Sequence, residues 1–370
     1  MYPAARKLQA PDMTMKPGDK RARTPTGGAM ASIAINGLGR IGRAALKILD
    51  QADGAEVVAV NDLIPPDNLA YLLRYDTVYG RWRTTVAADG DALTVGGRKI
   101  PMLAERDPAR LPWKALGVDL VLECTGALRR EEDLKKHLSA GASRVILSAP
   151  ARTETVAAVV HGVNEASPGE QVISCASCTT NCIAPVAEVL DRRFGIRHAV
   201  MTTVHAYTSS QQLIDGPSKD FRRGRAGAAN MLPASTGAAL ATTKVLPGLA
   251  GKFDGVAIRV PLPVGSIADV TAVTARPVTR EEVNDAFREE AASDRYRGVL
   301  GVADDPVVSA DIIGDPRASV LDAAMTRVVD QALVKVMSWY DNEWGFTCQM
   351  IREAFTALNL PAPDLTSIRP

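Results

Sequence analysis

The chain has 370 residues, 46% of them hydrophobic and 23% charged, and 43 basic side chains balance 42 acidic ones to a net charge of +1. This length predicts two domains, each large enough to bury a core of its own. The near-neutral balance excludes nucleic acid or a membrane surface as a partner selected by bulk electrostatics, so any anion must be held by local groups. No apolar run approaches the ~20 residues that a spanning helix requires.

Residues 1–30 carry six Lys and Arg and no apolar stretch of the kind found in a secretory signal. They read as a tail outside the folded body, disordered or preceding a start at Met30. Five cysteines, an odd number with no signal segment, point to free thiols in a reducing compartment and so to a cytoplasmic protein.

Ser32–Asn36 reads as a short buried strand. Arg40–Gln51 follows as a helix with apolar Ile41, Ala44, Ala45 and Ile48 on one face, and Glu56–Val60 as a second strand. Strand, glycine-rich turn, helix and strand within about thirty residues make a βαβ unit. Ala92–Val95 and Arg98–Met102 flank Gly96-Gly97 and predict a hairpin. Val118–Glu123, a helix near Glu131–Ala140 and Arg144–Ser148 continue the alternation of a parallel sheet. Beyond about Ile173 the pattern changes. Longer strands are predicted at Ala199–Ala206, Val256–Pro261, Asp269–Ala275 and Leu333–Ser338, with fewer helices between them, which indicates an α+β domain on a mostly antiparallel sheet. Within it Ser209–Gly227 is a polar segment containing Lys219, Arg222, Arg223 and Arg225, long enough to suggest function rather than connection. A last helix is predicted over about Glu343–Leu358.

Gly37-Leu38-Gly39-Arg40-Ile41-Gly42 fits G-x-G-x-x-G between a strand and a helix. Gly37 permits the tight turn, Gly39 lets backbone approach a pyrophosphate, and Gly42 allows close helix packing. The helix start offers free N–H groups and partial positive charge to the phosphates. Asp62 lies at the end of the second strand, where a carboxylate accepts from a ribose diol and repels a 2′-phosphate, so the pattern selects NAD over NADP.

Ala176-Ser177-Cys178-Thr179-Thr180-Asn181-Cys182 follows a strand and precedes a helix predicted over Cys182–Leu190. A cysteine at a helix start has its thiolate favoured by the dipole, and the β-branched strand Thr202–Thr208 carries His205 at its end. Cys178 and His205 are therefore candidates for a nucleophile and its base. Two other readings stand beside this one: structural cysteines, or a metal or redox cluster of Cys175, Cys178 and Cys182. The latter lacks the fourth ligand that a zinc site needs.

The run SCASCTTNCIAP (residues 174–185) resembles the nucleophile motif of glyceraldehyde-3-phosphate dehydrogenases. INGLGRIGR (35–43), VNDL (60–63), ERDP (105–108), ECTG (123–126), LSAP (147–150), HAYT (205–208), STGAA (235–239), RVPLP (259–263) and SWYDNEWG (338–345) extend the likeness, in the family's order, from Ala31 to about Leu358. The resemblance implies a Rossmann-type NAD-binding domain over 31–177, completed by a C-terminal helix over 342–360, and an α+β catalytic domain over 178–341. It implies phosphorylating oxidation of glyceraldehyde 3-phosphate through a hemithioacetal and a thioester on Cys178, with His205 as base, in glycolysis and gluconeogenesis. It places Thr208 and Arg259 at the substrate's phosphate. Ser177, Thr179, Thr236, Gly237 and Arg223 fall at the attacking phosphate, with Arg225 as the alternative arginine. On the cofactor side it places Arg40 and Ile41 at the pyrophosphate, Arg106 near the adenine, and Ser148 and Asn342 near the nicotinamide. Leu63 and Pro217 resemble NAD-using members. A homotetramer is implied, with the Ser209–Gly227 loop near a neighbour's cofactor; no metal is. Val264–Asp269 departs from the family's strand at this point, and Phe346 stands where many members have Tyr. Two alternatives are an erythrose-4-phosphate dehydrogenase and an NAD-binding redox sensor.

Overall fold

The computed structural model describes residues 30–370; the expectation for the N-terminal tail falls almost wholly on residues 1–29, outside the described part. Two sheets organise the chain. The first has nine strands, and its seven-strand parallel part runs Ala157–Ala158, Val172–Ser174, Arg144–Leu147, Leu120–Glu123, Ala31–Asn36, Ala55–Asn61 and Arg98–Leu103. The predicted βαβ unit forms as expected, its helix spanning Arg40–Gln51. The hairpin joining Ala92–Val95 to Arg98–Leu103 turns on Gly96 and Gly97, at φ of 57° and 84°. A two-residue turn needs left-handed backbone at both positions to match strand twist, and glycine provides it without a Cβ clash.

Ala31–Asn36 is flanked on one side by Ala55–Asn61 and on the other by Leu120–Glu123. The chain leaves this strand in one direction and returns later on the other, so a crevice opens at its carboxyl end, where ligands bind in open α/β sheets. The helix Trp344–Ala357 packs on Arg40–Gln51 and contributes Phe346, Met350, Ile351 and Phe355 to the first core. The last residues fold back on the same core and bury Leu365 and Ile368.

The second sheet runs Leu232–Ser235, Phe253–Val260, Ile196–Ala206, Ser266–Thr274, Leu333–Tyr340, Ser319–Asp322 and Leu300–Ala303. Most of its pairings are antiparallel; Ile196–Ala206 with Phe253–Val260 and Leu300–Ala303 with Ser319–Asp322 are parallel. Ser266–Thr274 alternates buried and half-buried side chains, as a strand with one face on a core must. The core side is covered by the helices Cys178–Phe194 and Arg280–Ala292.

The helix predicted over Cys182–Leu190 begins four residues earlier and ends four later, running straight through Pro185. Ser177 caps it by accepting from Thr180 N at 3.0 Å. Residues 179–190 are buried throughout, so burial between two cores outweighs the single backbone bond that Pro185 removes. Among the described residues no helix is long and apolar enough to cross a membrane.

The tightest contact in the first domain is Gly42 against the loop before it: a Cβ there would lie 2.0 Å from the Gly37 carbonyl oxygen. Backbone cannot give way as a flexible side chain would. Gly42→Ala is expected to destabilise the protein by about 1–3 kcal/mol, read as a lowered midpoint in thermal or urea unfolding.

Candidate active site and dinucleotide cleft

Cys178 is the first residue of its helix and packs against both hydrophobic cores, which places it on the seam between the two sheets. The chain reaches it through Ala176, a non-glycine residue at φ 55°. That turn is clamped by Asn181, whose amide donates to Cys175 O at 2.8 Å and Ser177 O at 2.9 Å. Such clamping holds a left-handed alanine that would otherwise cost about 1–2 kcal/mol.

The Cys178 Sγ lies 3.3 Å from His205 Nε2. The two residues are 27 apart in sequence and meet because the strand Ile196–Ala206 ends beside the helix start. Burial pushes the Cys178 thiol up, while the Arg259 charge, the N–H groups of Thr179 and Cys178 and the Thr179 hydroxyl pull it down. Burial, then the Arg259 charge, lower the His205 imidazole to about 3, against a rise from its bond to Ala206 O. The ring is therefore neutral at neutral pH and able to accept a proton. Its Nδ1 faces two partners, Ala206 O at 2.7 Å and Arg259 Nη1 at 2.6 Å. A guanidinium only donates, so while Arg259 holds Nδ1 the ring proton sits on Nε2; when Nδ1–H turns to Ala206 O instead, Nε2 presents its lone pair to the thiol.

The other cysteines are fully or nearly fully buried. Burial raises the thiols of Cys124 and Cys182 to about 12 and that of Cys175 well above its ordinary value. Cys178 is the one partly exposed thiol among the described residues.

Arg259 stands beside His205 on the neighbouring strand. Thr208 lies two residues past the end of the His205 strand, its hydroxyl 2.8 Å from Ser210 Oγ, and Arg223 Nη1 donates to the same Ser210 Oγ at 2.8 Å. Arg223 pairs with Asp220 at 3.2 Å and its positive charge is felt at Arg259, whereas Arg225, paired with Asp215 at 2.9 Å, is more exposed and makes no such contact. Of the two loop arginines, Arg223 is thus the one tied to the active-site side chains. Ser177 serves as the helix cap. The Thr179 hydroxyl lies 2.9 Å from Tyr340 OH, within a buried chain that continues to Thr203 Oγ1 at 2.8 Å. Thr236 accepts from Ala238 N at 3.1 Å, and Gly237 precedes the helix Ala238–Val245, which packs on the Cys178 helix.

The crevice at the end of Ala31–Asn36 is a cavity of about 440 Å³ lined by Gly37, Gly39, Asp62, Leu63 and Arg106 among others. Two larger hollows, of about 800 and 1170 Å³, lie away from Cys178 and from this crevice. At Gly39 no side chain caps the helix, so the N–H groups of Arg40, Ile41 and Gly42 keep no intrahelical partner. A Cβ built on Gly39 meets nothing within 4 Å, so the space it leaves is free for a ligand. Asp62 accepts from Leu38 N at 2.6 Å and Ile64 N at 3.0 Å, which aims its carboxylate along the loop. The Arg40 guanidinium is occupied by Asp76 and Glu343, so what Arg40 offers a pyrophosphate is its backbone N–H. These features fit a dinucleotide.

Ser148 stands near the Cys124 thiol and opposes part of the rise that burial gives it. Asn342 is buried, and its side-chain oxygen accepts from Gly265 N at 3.1 Å and Ser266 Oγ at 3.0 Å, which leaves the amide nitrogen as its outward donor. Ser266 also accepts from Ala206 N at 3.2 Å, so one buried hydroxyl joins the end of the His205 strand to Asn342. Sequence reasoning missed Ser266, Tyr340 and Asn181 as supports. Each is a polar residue inside a motif that should have been buried, and that mismatch was the available signal.

Residues 31–131 match the glyceraldehyde 3-phosphate dehydrogenase NAD binding domain and residues 177–342 the C-terminal domain of the same enzymes. A glyceraldehyde-3-phosphate dehydrogenase of Kitasatospora aureofaciens is 51% identical over 326 residues, 87% of this chain and 97% of that protein. Glyceraldehyde-3-phosphate dehydrogenase 2 of Streptomyces avermitilis and glyceraldehyde-3-phosphate dehydrogenase 1 of Bacillus subtilis are each 48% identical, over 86% of this chain and 96% of their own lengths. The chain belongs to the glyceraldehyde-3-phosphate dehydrogenase family. It is an NAD-dependent oxidoreductase with a Rossmann-type domain and a catalytic α+β domain.

Because the Arg259 charge lowers the Cys178 thiol, removing it moves the thiol up. In Arg259→Leu the pH profile of Cys178 alkylation by iodoacetamide is expected to shift to higher pH, with slower modification at pH 7; an unmoved profile would show that the charge does not reach the sulfur.

Proposed function

We propose that this chain oxidises glyceraldehyde 3-phosphate to 1,3-bisphosphoglycerate, with NAD as hydride acceptor and inorganic phosphate as second substrate. The observation that carries the reading is the 3.3 Å approach of Cys178 Sγ to His205 Nε2 with Arg259 against the same ring. His205 takes the thiol proton, the sulfur adds to the aldehyde carbon, and the imidazolium returns that proton to the new alkoxide, which gives a hemithioacetal and leaves the ring neutral again. His205 next accepts the proton of that hydroxyl as the carbon becomes a thioester. Bound NAD supplies the acceptor for the hydride that leaves this carbon. A phosphate oxygen attacks the thioester, the C–S bond breaks, and Cys178 departs as thiolate. The N–H groups of Cys178 and Thr179 at the helix start stabilise the negative charge that develops at this centre.

In this reading Arg259 and Thr208 hold the phosphate of the aldehyde. A phosphate dianion paired with Arg259 offsets the charge that depresses His205, so the ring becomes a stronger base as substrate arrives. Ser177, Thr179, Thr236, Gly237 and Arg223 receive the attacking phosphate, with Arg223 preferred to Arg225. Gly37, Gly39, Gly42 and the N–H groups of Arg40 and Ile41 cradle the pyrophosphate. Asp62 accepts from the adenosine ribose, Arg106 lies at the adenine, and Ser148 and Asn342 at the nicotinamide. The two functional units divide at 177/178, the helix within 342–360 returning to the first.

A homotetramer belongs to the same proposal. The Ser209–Gly227 loop exposes Leu213 at 80% and Phe221 at 88%; Met231, just before the edge strand Leu232–Ser235, and Val256, on the strand beside it, are exposed as well. Apolar groups gathered in this way call for a covering surface. A cytoplasmic location follows from free thiols and from glycolytic substrates.

The test is NADH formation from glyceraldehyde 3-phosphate with phosphate varied. Strong phosphate dependence, preference for NAD over NADP and loss of at least about a thousandfold in turnover in Cys178→Ser are expected. Turnover of erythrose 4-phosphate without phosphate dependence would instead favour the erythrose-4-phosphate enzyme.

A further inference from the structure

Beneath the dinucleotide crevice lies a buried polar chain that the chemistry above does not use. Glu123, at the end of its strand, is fully buried and has no Lys or Arg partner among the described residues. Its carboxylate instead collects four donors. Oε1 accepts from the N–H of Thr125 at 2.8 Å and from the Thr125 hydroxyl; Oε2 accepts from Asn36 Nδ2 at 2.5 Å and lies 3.2 Å from His137 Nε2. The direction of each bond can be worked out. Trp113 Nε1, which can only donate, lies 2.9 Å from His137 Nδ1, so Nδ1 is the acceptor and the ring proton sits on Nε2, facing Glu123. Thr125 Oγ1 accepts from Ala127 N at 3.2 Å, so its own hydrogen points to Glu123.

From Glu123 the chain runs on. Asn36 Oδ1 accepts from Asn61 Nδ2 at 2.7 Å, and Asn61 makes a two-way bond to the backbone of Glu105, at 2.9 Å each way. Asn61 O accepts from Gly37 N at 2.8 Å, and Asn36 O from Cys124 N at 2.7 Å. Asn36, Asn61, Glu105 and Thr125 all line the crevice, whereas Trp113 and His137 are wholly buried away from it. The strand-end loops at 37–39, 61–64, 105–106 and 124–127 are thus tied to one carboxylate, and that carboxylate is oriented from behind by one imidazole whose tautomer Trp113 sets.

We propose that His137 is a positioning residue for NAD binding: with Trp113 behind it, it aims Glu123, and Glu123 holds the loops of the crevice in the geometry that receives the dinucleotide. This rests on the crevice being the NAD site. The role needs one acceptor toward Trp113 and one donor toward Glu123, both of which a glutamine can supply and a phenylalanine cannot. Groups that orient metal ligands from behind change affinity by about ten- to a hundredfold when broken, and a similar effect is expected here.

The experiment is equilibrium titration of NAD into the full-length protein, followed by tryptophan fluorescence, beside separate KM values for NAD, aldehyde and phosphate. His137→Phe is expected to weaken NAD about tenfold while the KM values for aldehyde and phosphate stay within twofold. His137→Gln should recover most of the loss, and Trp113→Phe, which frees the tautomer but keeps the ring packing, should weaken NAD by a few-fold, followed by calorimetry because it removes a fluorophore. If His137→Phe does not fold, the Trp113→Phe and His137→Gln pair carries the test. Unchanged NAD binding in a folded His137→Phe, or in Trp113→Phe, would overturn the proposal, as would equal losses for NAD and aldehyde. Failure of the wild-type chain to bind NAD would instead overturn the crevice assignment on which it rests.

Discussion

The contact on which the rest of the structure depends is a sulfur held at a helix start against an imidazole at a strand end. Neither partner owes its state to its sequence neighbours alone. Burial raises the Cys178 thiol, and only the N–H groups of its helix start, the Thr179 hydroxyl and the Arg259 charge oppose that rise. The imidazole is neutral because it is buried and faces a guanidinium. The seam between the two cores makes this possible: it is dry enough to strengthen each interaction and open enough, at Cys178 alone among the thiols, to admit a carbonyl.

With a net charge of +1, the chain leaves the attraction of anions to local donor groups. At the crevice they are uncharged backbone N–H groups of an uncapped helix start. Around Cys178 they are Arg259 on a strand and Arg223 on a loop, the latter joined to Thr208 through the Ser210 hydroxyl. Arg40, Arg223 and Arg225 each pair with a carboxylate, while no carboxylate lies in ion-pair contact with Arg259 among the described residues.

Buried hydroxyls and amides supply the rigidity. Ser266 ties the His205 strand to Asn342, Tyr340 ties the Cys178 helix to the His205 strand through Thr179 and Thr203, and Asn181 holds the left-handed turn at Ala176. The departure from the family pattern at Val264–Asp269 is absorbed in the same way: Gly265 and Ser266 both donate to Asn342, so the altered strand still positions that side chain. Phe346 is buried in the first core, where a ring without a hydroxyl leaves no polar group to satisfy.

Local chemistry was legible from the residues alone: the βαβ unit by its periodicity, the Gly96-Gly97 hairpin by its backbone demands, the glycine turn with Asp62, and Cys178 and His205 as reactive types at element ends. Such features depend on neighbours within a few positions, which a sequence displays. Tertiary structure alone decided what depends on which strand lies beside which. It brought Cys178 to His205, set Arg223 against Ser210 and Arg225 against Asp215, committed the Arg40 side chain to carboxylates, and carried the Cys178 helix through Pro185 because burial on two sides outweighs one missing hydrogen bond. It also joined Trp113, His137, Glu123 and Asn36, residues up to 101 positions apart, into one chain of donors and acceptors. No spacing rule connects them, since the register of a parallel sheet is set by packing on both its faces and not by any segment's own pattern.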